Sequence, residues 1–430
     1  MLDINMFRST PEVIRKDHDK RGIPHTNIDR VIELDQSWIN LQHETNQLRA
    51  TKNAAARGIG AAKKSGDDEA AQRILAEVAD LGAQIAALER KTEEAVEERD
   101  QLRMRIPNIL HEDVPEGPDE SGNTVHSSHG RKPEFTFEPR THNELIEMNK
   151  WVDLKRAAKI AGSRFFFLKG DLARLEFALQ HYAVDFLRSR GYTFVQPPVM
   201  MNREAYEGVT DLSDFETVMY GVEPDNYYMI ATAEHPLTAM FMGETIPEAD
   251  LPLRIVGVSP CFRREVGSHG QSDLGIWRVH QVTKLEQIII ASPEQSWSLQ
   301  EELLTNCIDL WDALGMHYEV VNICTGDMGT VAARKYDLEA WIPGAKQYKE
   351  IVSCSNCTDY QANRLQIRYG QPGHAGQPIA HTLNSTAVAT SRALVAIMEQ
   401  NQLEDGRVRI PEVLQPLMGG QTALEPCLWG

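Results

Sequence analysis

Two stretches near the N-terminus repeat apolar residues in steps of three and four. Val31, Leu34, Trp38, Leu41 and Leu48 make one series, with Thr45 in the missing place. Ile74, Val78, Leu81, Ile85, Leu88, Thr92 and Ala95 make a second, which breaks near Ile106-Pro107. Seams of this period predict two long helices packed along a shared stripe. Between them, "KKSGDDE" (63–69) supplies Gly66 to end the first helix and Asp67 or Asp68 to cap the next. The pair therefore folds back as an antiparallel hairpin. A dimerisation coiled coil or an inert spacer would show the same seams.

Past the hairpin, "PNILHEDVPEGPDESGNTVHSSHGRKPEF" (107–135) is rich in Pro, Gly, Ser and His, has no period, and reads as a linker. The expected organisation is a helical arm (1–106), this linker (107–135) and a main domain (136–430). In the main domain, strand-like runs (193–195, 227–230, 253–258, 276–282, 287–290, 318–321) alternate with helical ones (172–189, 293–314, 390–402). From 253 to 290 the strands follow one another with no room for crossover helices. That predicts an α+β fold with an antiparallel sheet flanked by helices, not a doubly wound parallel sheet. No Walker or Rossmann glycine pattern occurs, so a nucleotide would need another device.

Composition narrows the partners. The net charge of −18 argues against general affinity for nucleic acid. Locally the balance reverses: Thr45 to Ser65 holds Arg49, Lys52, Arg57, Lys63 and Lys64 and no acid. A cationic arm end on an anionic body suits a clasp for a phosphate backbone. No apolar run approaches a membrane span, and "MLDINMFRST" lacks the features of a signal peptide. The six cysteines (261, 307, 324, 354, 357 and 427) are sparse and irregular, as in a reducing cytoplasm. Cys354-x-x-Cys357 has no second pair to complete a zinc site.

Several strings, taken in order, resemble seryl-tRNA synthetases, a class II aminoacyl-tRNA synthetase family. "MLDINMFRSTPEVIRKDHDKRG" is similar to the family's N-terminus, "SRGYTFVQPPVM" to motif 1 with Pro198 at its proline, and "CFRREVGS…RVHQ" to motif 2. "TLNSTAVATSRALVAIMEQNQ" resembles motif 3, and "TAEHPLT", "CTGDMG", "YDLEAWIP" and "EIVSCSN" stand between. The resemblance spans about residues 1 to 419. It implies a class II antiparallel core behind a tRNA-binding hairpin. The implied activity is ATP-dependent serine–tRNA ligation, in a cytoplasmic homodimer that uses ATP, Mg²⁺, L-serine and tRNA(Ser).

The resemblance also implies roles. Arg263 would grip the α-phosphate and the amino acid carboxylate, and Arg392 the terminal phosphate and adenine face; both are the expected catalytic groups. A guanidinium suits this work because it bridges anions in fixed geometry. Glu265 would meet adenine and Arg278 a phosphate, with Arg264, Val279, His280, Gln281 and Val282 completing the motif 2 wall. Glu350, Ile351, Val352 and Ser353 would form the opposite wall, Glu350 and Ser353 holding Mg²⁺. Serine would be received by Thr232, Ala233, Glu234, Arg263, Glu286, Asn384 and Thr386, with Glu286 accepting its hydroxyl.

The chain departs from the family pattern at the nucleotide. Val282 stands where a stacking phenylalanine is usual, and Ser385, Ala387 and Ser391 replace three motif 3 glycines. A catalytically weakened paralogue acting as a tRNA-binding or scaffold protein is therefore the alternative reading. An amino acid:carrier-protein ligase on the same core would lack the arm that this chain carries.

Overall fold

The computed structural model describes residues 1–211, 217–266 and 275–429. It divides into two compact units, Leu2–Pro107 and the chain from Asn108 onward with Met1.

In the first unit, α1 (Thr26–Ser65) and α2 (Asp68–Arg105) form the hairpin. Gly66 leaves α1 at φ +75°, and the Asp67 carboxylate accepts the Ala70 N–H to start α2. Val31, Leu34, Leu81 and Ile85 are buried along the seam, as are Thr45 and Thr92. Near the base, Asp35 is buried and accepts from Arg8 at 2.7 Å and Arg99 at 2.8 Å, with both guanidinium groups 5.6 Å from the Trp38 ring centroid.

The second unit is built on eight strands. They are β1 (Thr124–His129), β2 (Thr193–Val195), β3 (Leu253–Phe262), β4 (Gln281–Ala291), β5 (Tyr318–Asn322), β6 (Arg334–Ile342), β7 (Gln347–Asn356) and β8 (His381–Ala389). They pair in the order β1-β5-β6-β7-β8-β4-β3-β2. Every pairing is antiparallel except β2 with β3. The expected linker thus contains an edge strand, β1, paired with β5.

One sheet face packs into the main core. Leu285 and Ile289 of β4, Leu338 of β6, Val352 of β7 and Leu383 of β8 cluster there with α3 (Gly170–Arg188), α4 (Pro293–Ala313) and α5 (Thr390–Gln400). Strand alternation turns Lys284 and Glu286 to the opposite face. A β-bulge between Leu285 and Glu286 sets Glu286 directly opposite Thr386 of β8.

The run expected as a strand over 276–282 is strand only from Gln281. Gly275 lies at φ +73°, and the backbone from Ile276 to His280 is irregular. Its apolar positions hide another geometry: Ile276, Trp277 and Val279 are all buried, so their burial does not alternate as in a one-sided strand. The remaining segment is tied by bonds from His280 N–H to Arg164 C=O and from Arg263 N–H to His280 C=O.

Candidate active site

A cavity of about 380 Å³ is lined by residues of the sheet, among them Val282 and Lys284 of β4 and Asn384 and Thr386 of β8, and by Ser391 and Arg392 at the start of α5. Thr232, Glu234, Arg263, Glu265, Arg278, Val279, Val282, Glu350, Ile351, Ser353, Asn384, Thr386 and Arg392 all line it. The expected site residues that do not are informative. Ala233 and Val352 are buried in apolar clusters, Arg264 and Gln281 are exposed, and His280 braces the Arg263 backbone through Nδ1 at 2.8 Å.

Glu286 does not line the cavity either: it is 1% exposed and lies behind Thr232, Lys284 and Thr386, which do. Its Oε1 accepts from the Thr386 hydroxyl at 2.9 Å and the Thr232 hydroxyl at 3.1 Å, and pairs with Lys284 Nζ at 2.6 Å. Thr232 precedes the short helix Glu234–Ala239, which lies close on β3 because residue 257 is glycine. A Cβ there would come within 2.3 Å of Leu237 Cδ1. Burial first, then the Glu286 charge, raises the Glu234 carboxyl to about 7, against a hydrogen bond from Gln361 at 3.0 Å. Beside it His235 is buried, and burial with the Arg263 and Lys284 charges pushes it down to about 3. Its Nδ1 lies within hydrogen-bond distance of the Tyr206 hydroxyl, at 2.9 Å, and that hydroxyl accepts the Ala231 N–H at 2.9 Å.

The cationic side has its own braces. Arg263 donates through Nε to the Ala231 carbonyl at 3.1 Å. Arg278 lies 3.5 Å from Glu265. Arg392, in the first turn of α5, reaches the Glu350 carbonyl at 3.0 Å and its carboxylate at 3.2 Å, with its guanidinium 5.6 Å from the Trp277 ring centroid. The site walls oppose charge on Glu350, yet Arg392 and then Lys335 hold its carboxyl well below the usual range. Two arginines that meet anions, two carboxylates around a small polar floor, and an aromatic brace suit a phosphorylated nucleotide beside an amino acid.

Comparison with known proteins decides the family. Residues 1–110 match the seryl-tRNA synthetase N-terminal domain, and residues 220–401 match the tRNA synthetase class II core domain (G, H, P, S and T). A serine–tRNA ligase of Methanocorpusculum labreanum is 50% identical over 424 residues, covering 98% of this chain and 99% of its own. The chain belongs to the seryl-tRNA synthetase family. A crystal structure of the Pyrococcus horikoshii seryl-tRNA synthetase complexed with ATP superposes with a TM-score of 0.92 at 42% identity, covering 99% of this chain and 100% of its own. The Naegleria fowleri cytoplasmic enzyme in complex with AMP gives 0.86 at 36% identity, with 99% of each chain covered. The fold is that of a class II synthetase with a long helical hairpin, and the activity is that of an ATP-dependent serine–tRNA ligase. These likenesses support the ligase and not the weakened paralogue.

Seen within this synthetase fold, the motif 3 departures separate. Ser385 is wholly buried with its Oγ 3.2 Å from Cys307 of α4, and Ala387 sits in the main core. Both face away from the cavity; only Ser391 lines it. The cavity residues not expected from the sequence include Lys284, Trp277 and His235. Strand alternation from Glu286 points to Lys284, whereas the other two emerge only from tertiary packing. On the arm, Arg49 pairs with Glu89 of α2 at 2.7 Å, and Lys52 is half-buried beside Gly82. Arg57, Lys63 and Lys64 are exposed. Among the described residues no helix is long and apolar enough to cross a membrane.

Proposed function

We propose that the cavity joins L-serine to ATP as seryl-adenylate and passes the seryl group to the 3′ end of tRNA(Ser). The observation that carries this is the buried Glu286 carboxylate, bonded to Thr232 and Thr386, which line the cavity together with Arg263. In this reading Glu234 takes the substrate ammonium, Arg263 the carboxylate and the α-phosphate, and Oε2 of Glu286 the hydroxyl. Arg278 and Arg392 take the outer phosphates. The serine carboxylate attacks the α-phosphate in line, and pyrophosphate leaves. The protein supplies position and fixed positive charge, so no nucleophile or proton relay is needed. A substrate without the hydroxyl would leave a buried acceptor unpaired, which disfavours alanine.

Magnesium fits the donors present. Glu350 and Ser353 offer two oxygens on one wall of the cavity, and Mg²⁺ commonly takes one or two protein ligands beside substrate phosphates. Once bound, it would neutralise the phosphate charge. Exposed Arg57, Lys63 and Lys64 suit the tRNA backbone. Exposed Phe177 of α3 and Phe194 of β2, on or beside the motif 1 elements, support a homodimer. Six free cysteines are in keeping with a cytoplasmic protein. Serine-dependent ATP–pyrophosphate exchange tests the reading. Exchange with serine and little with alanine is expected; none with serine refutes it.

A further inference from the structure

Lys284 lines the cavity. Its side chain is only 12% exposed, and its ammonium lies 2.6 Å from Glu286 Oε1 and 3.2 Å from the Thr232 hydroxyl. That hydroxyl donates to the same Oε1 at 3.1 Å and accepts the Glu234 N–H at 3.3 Å, while the Thr386 hydroxyl donates to Oε1 at 2.9 Å. Lys284 therefore ties the Thr232–Glu234 loop to the strand that carries Glu286. With three donors on Oε1, that oxygen is saturated, and Oε2 is the one left for a ligand.

Charge makes the arrangement directional. Glu234 and Glu286 are close enough to repel each other, and Lys284 is the cation in contact with Glu286. Without it, Glu286 would turn to the next available cation, which in an amino acid site is the substrate ammonium. The hydroxyl would then lose its reader. We propose that Lys284 is a positioning residue that sets side-chain selectivity, by fixing Glu286 so that one oxygen reads the substrate hydroxyl and neither reads its ammonium. This rests on the cavity being the serine site.

The test is ATP–pyrophosphate exchange by the full-length protein with serine and with alanine, and with ATP varied. For Lys284→Met we expect the serine KM to rise at least tenfold and the serine-to-alanine ratio of kcat/KM to fall at least tenfold. The ATP KM should stay within twofold. Lys284→Arg, which keeps the charge on a different fork, should recover part of the ratio. Glu286→Gln added to Lys284→Met should cost much less than it does alone, because the two act as one unit. Equal losses with both amino acids would mean that Lys284 only supports the fold, and a raised ATP KM would mean that it serves the phosphates. Either result overturns the proposal. Failure of the unmodified protein to exchange with serine would instead overturn the reading of the cavity.

Discussion

At the residue scale, the cavity has a titratable group poised near neutrality. The Glu234 carboxyl, raised to about 7 by burial and by Glu286, must be ionised to hold an ammonium. Below pH 7 the free protein carries it protonated, so kcat/KM for serine should fall about tenfold per pH unit below pH 7. The bound ammonium favours the carboxylate, so kcat at saturating serine should fall at lower pH; exchange rates from pH 5.5 to 8.5 check both. Val282 offers a second test. It lines the cavity where the family carries phenylalanine, and Arg392 is held from the Trp277 side. Val282→Phe should lower the ATP KM, up to about tenfold if ~1 kcal/mol of stacking is recovered, and leave the serine KM unchanged. A raised ATP KM with unchanged thermal stability would mean that adenine lies elsewhere. The arginines and Glu286 were legible because ordered motifs mark them. Lys284, Trp277 and His235 were not, since their importance lies in what they touch across strands and loops.

Among the elements, hydrophobic period served best where one face is buried. The hairpin seams and the helices α3, α4 and α5 fall close to where periodicity puts them. It failed over 276–280, where burial from several sides imitates a strand, and across 107–135, where β1 carries polar residues at a sheet edge. Nor did the seam reveal Asp35, a polar residue buried next to Leu34. Burial opposes its charge, but Arg8 and then Arg99 hold the carboxyl below its ordinary value. Asp35→Asn should destabilise the arm by ~2–3 kcal/mol, less than for a wholly buried pair because Arg8 is 38% exposed. The sign with pH follows from the depressed value. The contribution is complete above the unfolded pKa of about 4 and vanishes as pH falls through the folded one, so the two proteins should converge in stability in acid. Denaturant melts of residues 1–107 at pH 7 and near pH 3 measure this; an equal gap at both would refute it.

For the whole molecule, the division into two compact units separates two kinds of chemistry. All of the cavity residues lie in the unit beginning at Asn108, and all of the arm cations lie in Leu2–Pro107. On the proposed reading adenylation needs only the first set, whereas a tRNA on an anionic protein needs a local source of positive charge. The net charge of −18 therefore makes the arm cations count for more. They are not equal. Arg49 is matched by Glu89, so its removal also takes away a link between the helices, while Arg57, Lys63 and Lys64 have exposed side chains at the far end of α1. Replacing these three by Gln should leave serine-dependent pyrophosphate exchange unchanged. It should weaken tRNA binding and flatten its dependence on salt, by a slope of about 0.9 for each phosphate no longer neutralised. Replacing Arg49 alone should lower the thermal stability of the arm as well as affinity. Titrating tRNA at several salt concentrations, beside exchange assays on the same proteins, separates the effects. An unchanged salt slope in the triple variant would mean that the exposed cations are a solvated helix face, and that tRNA is held elsewhere.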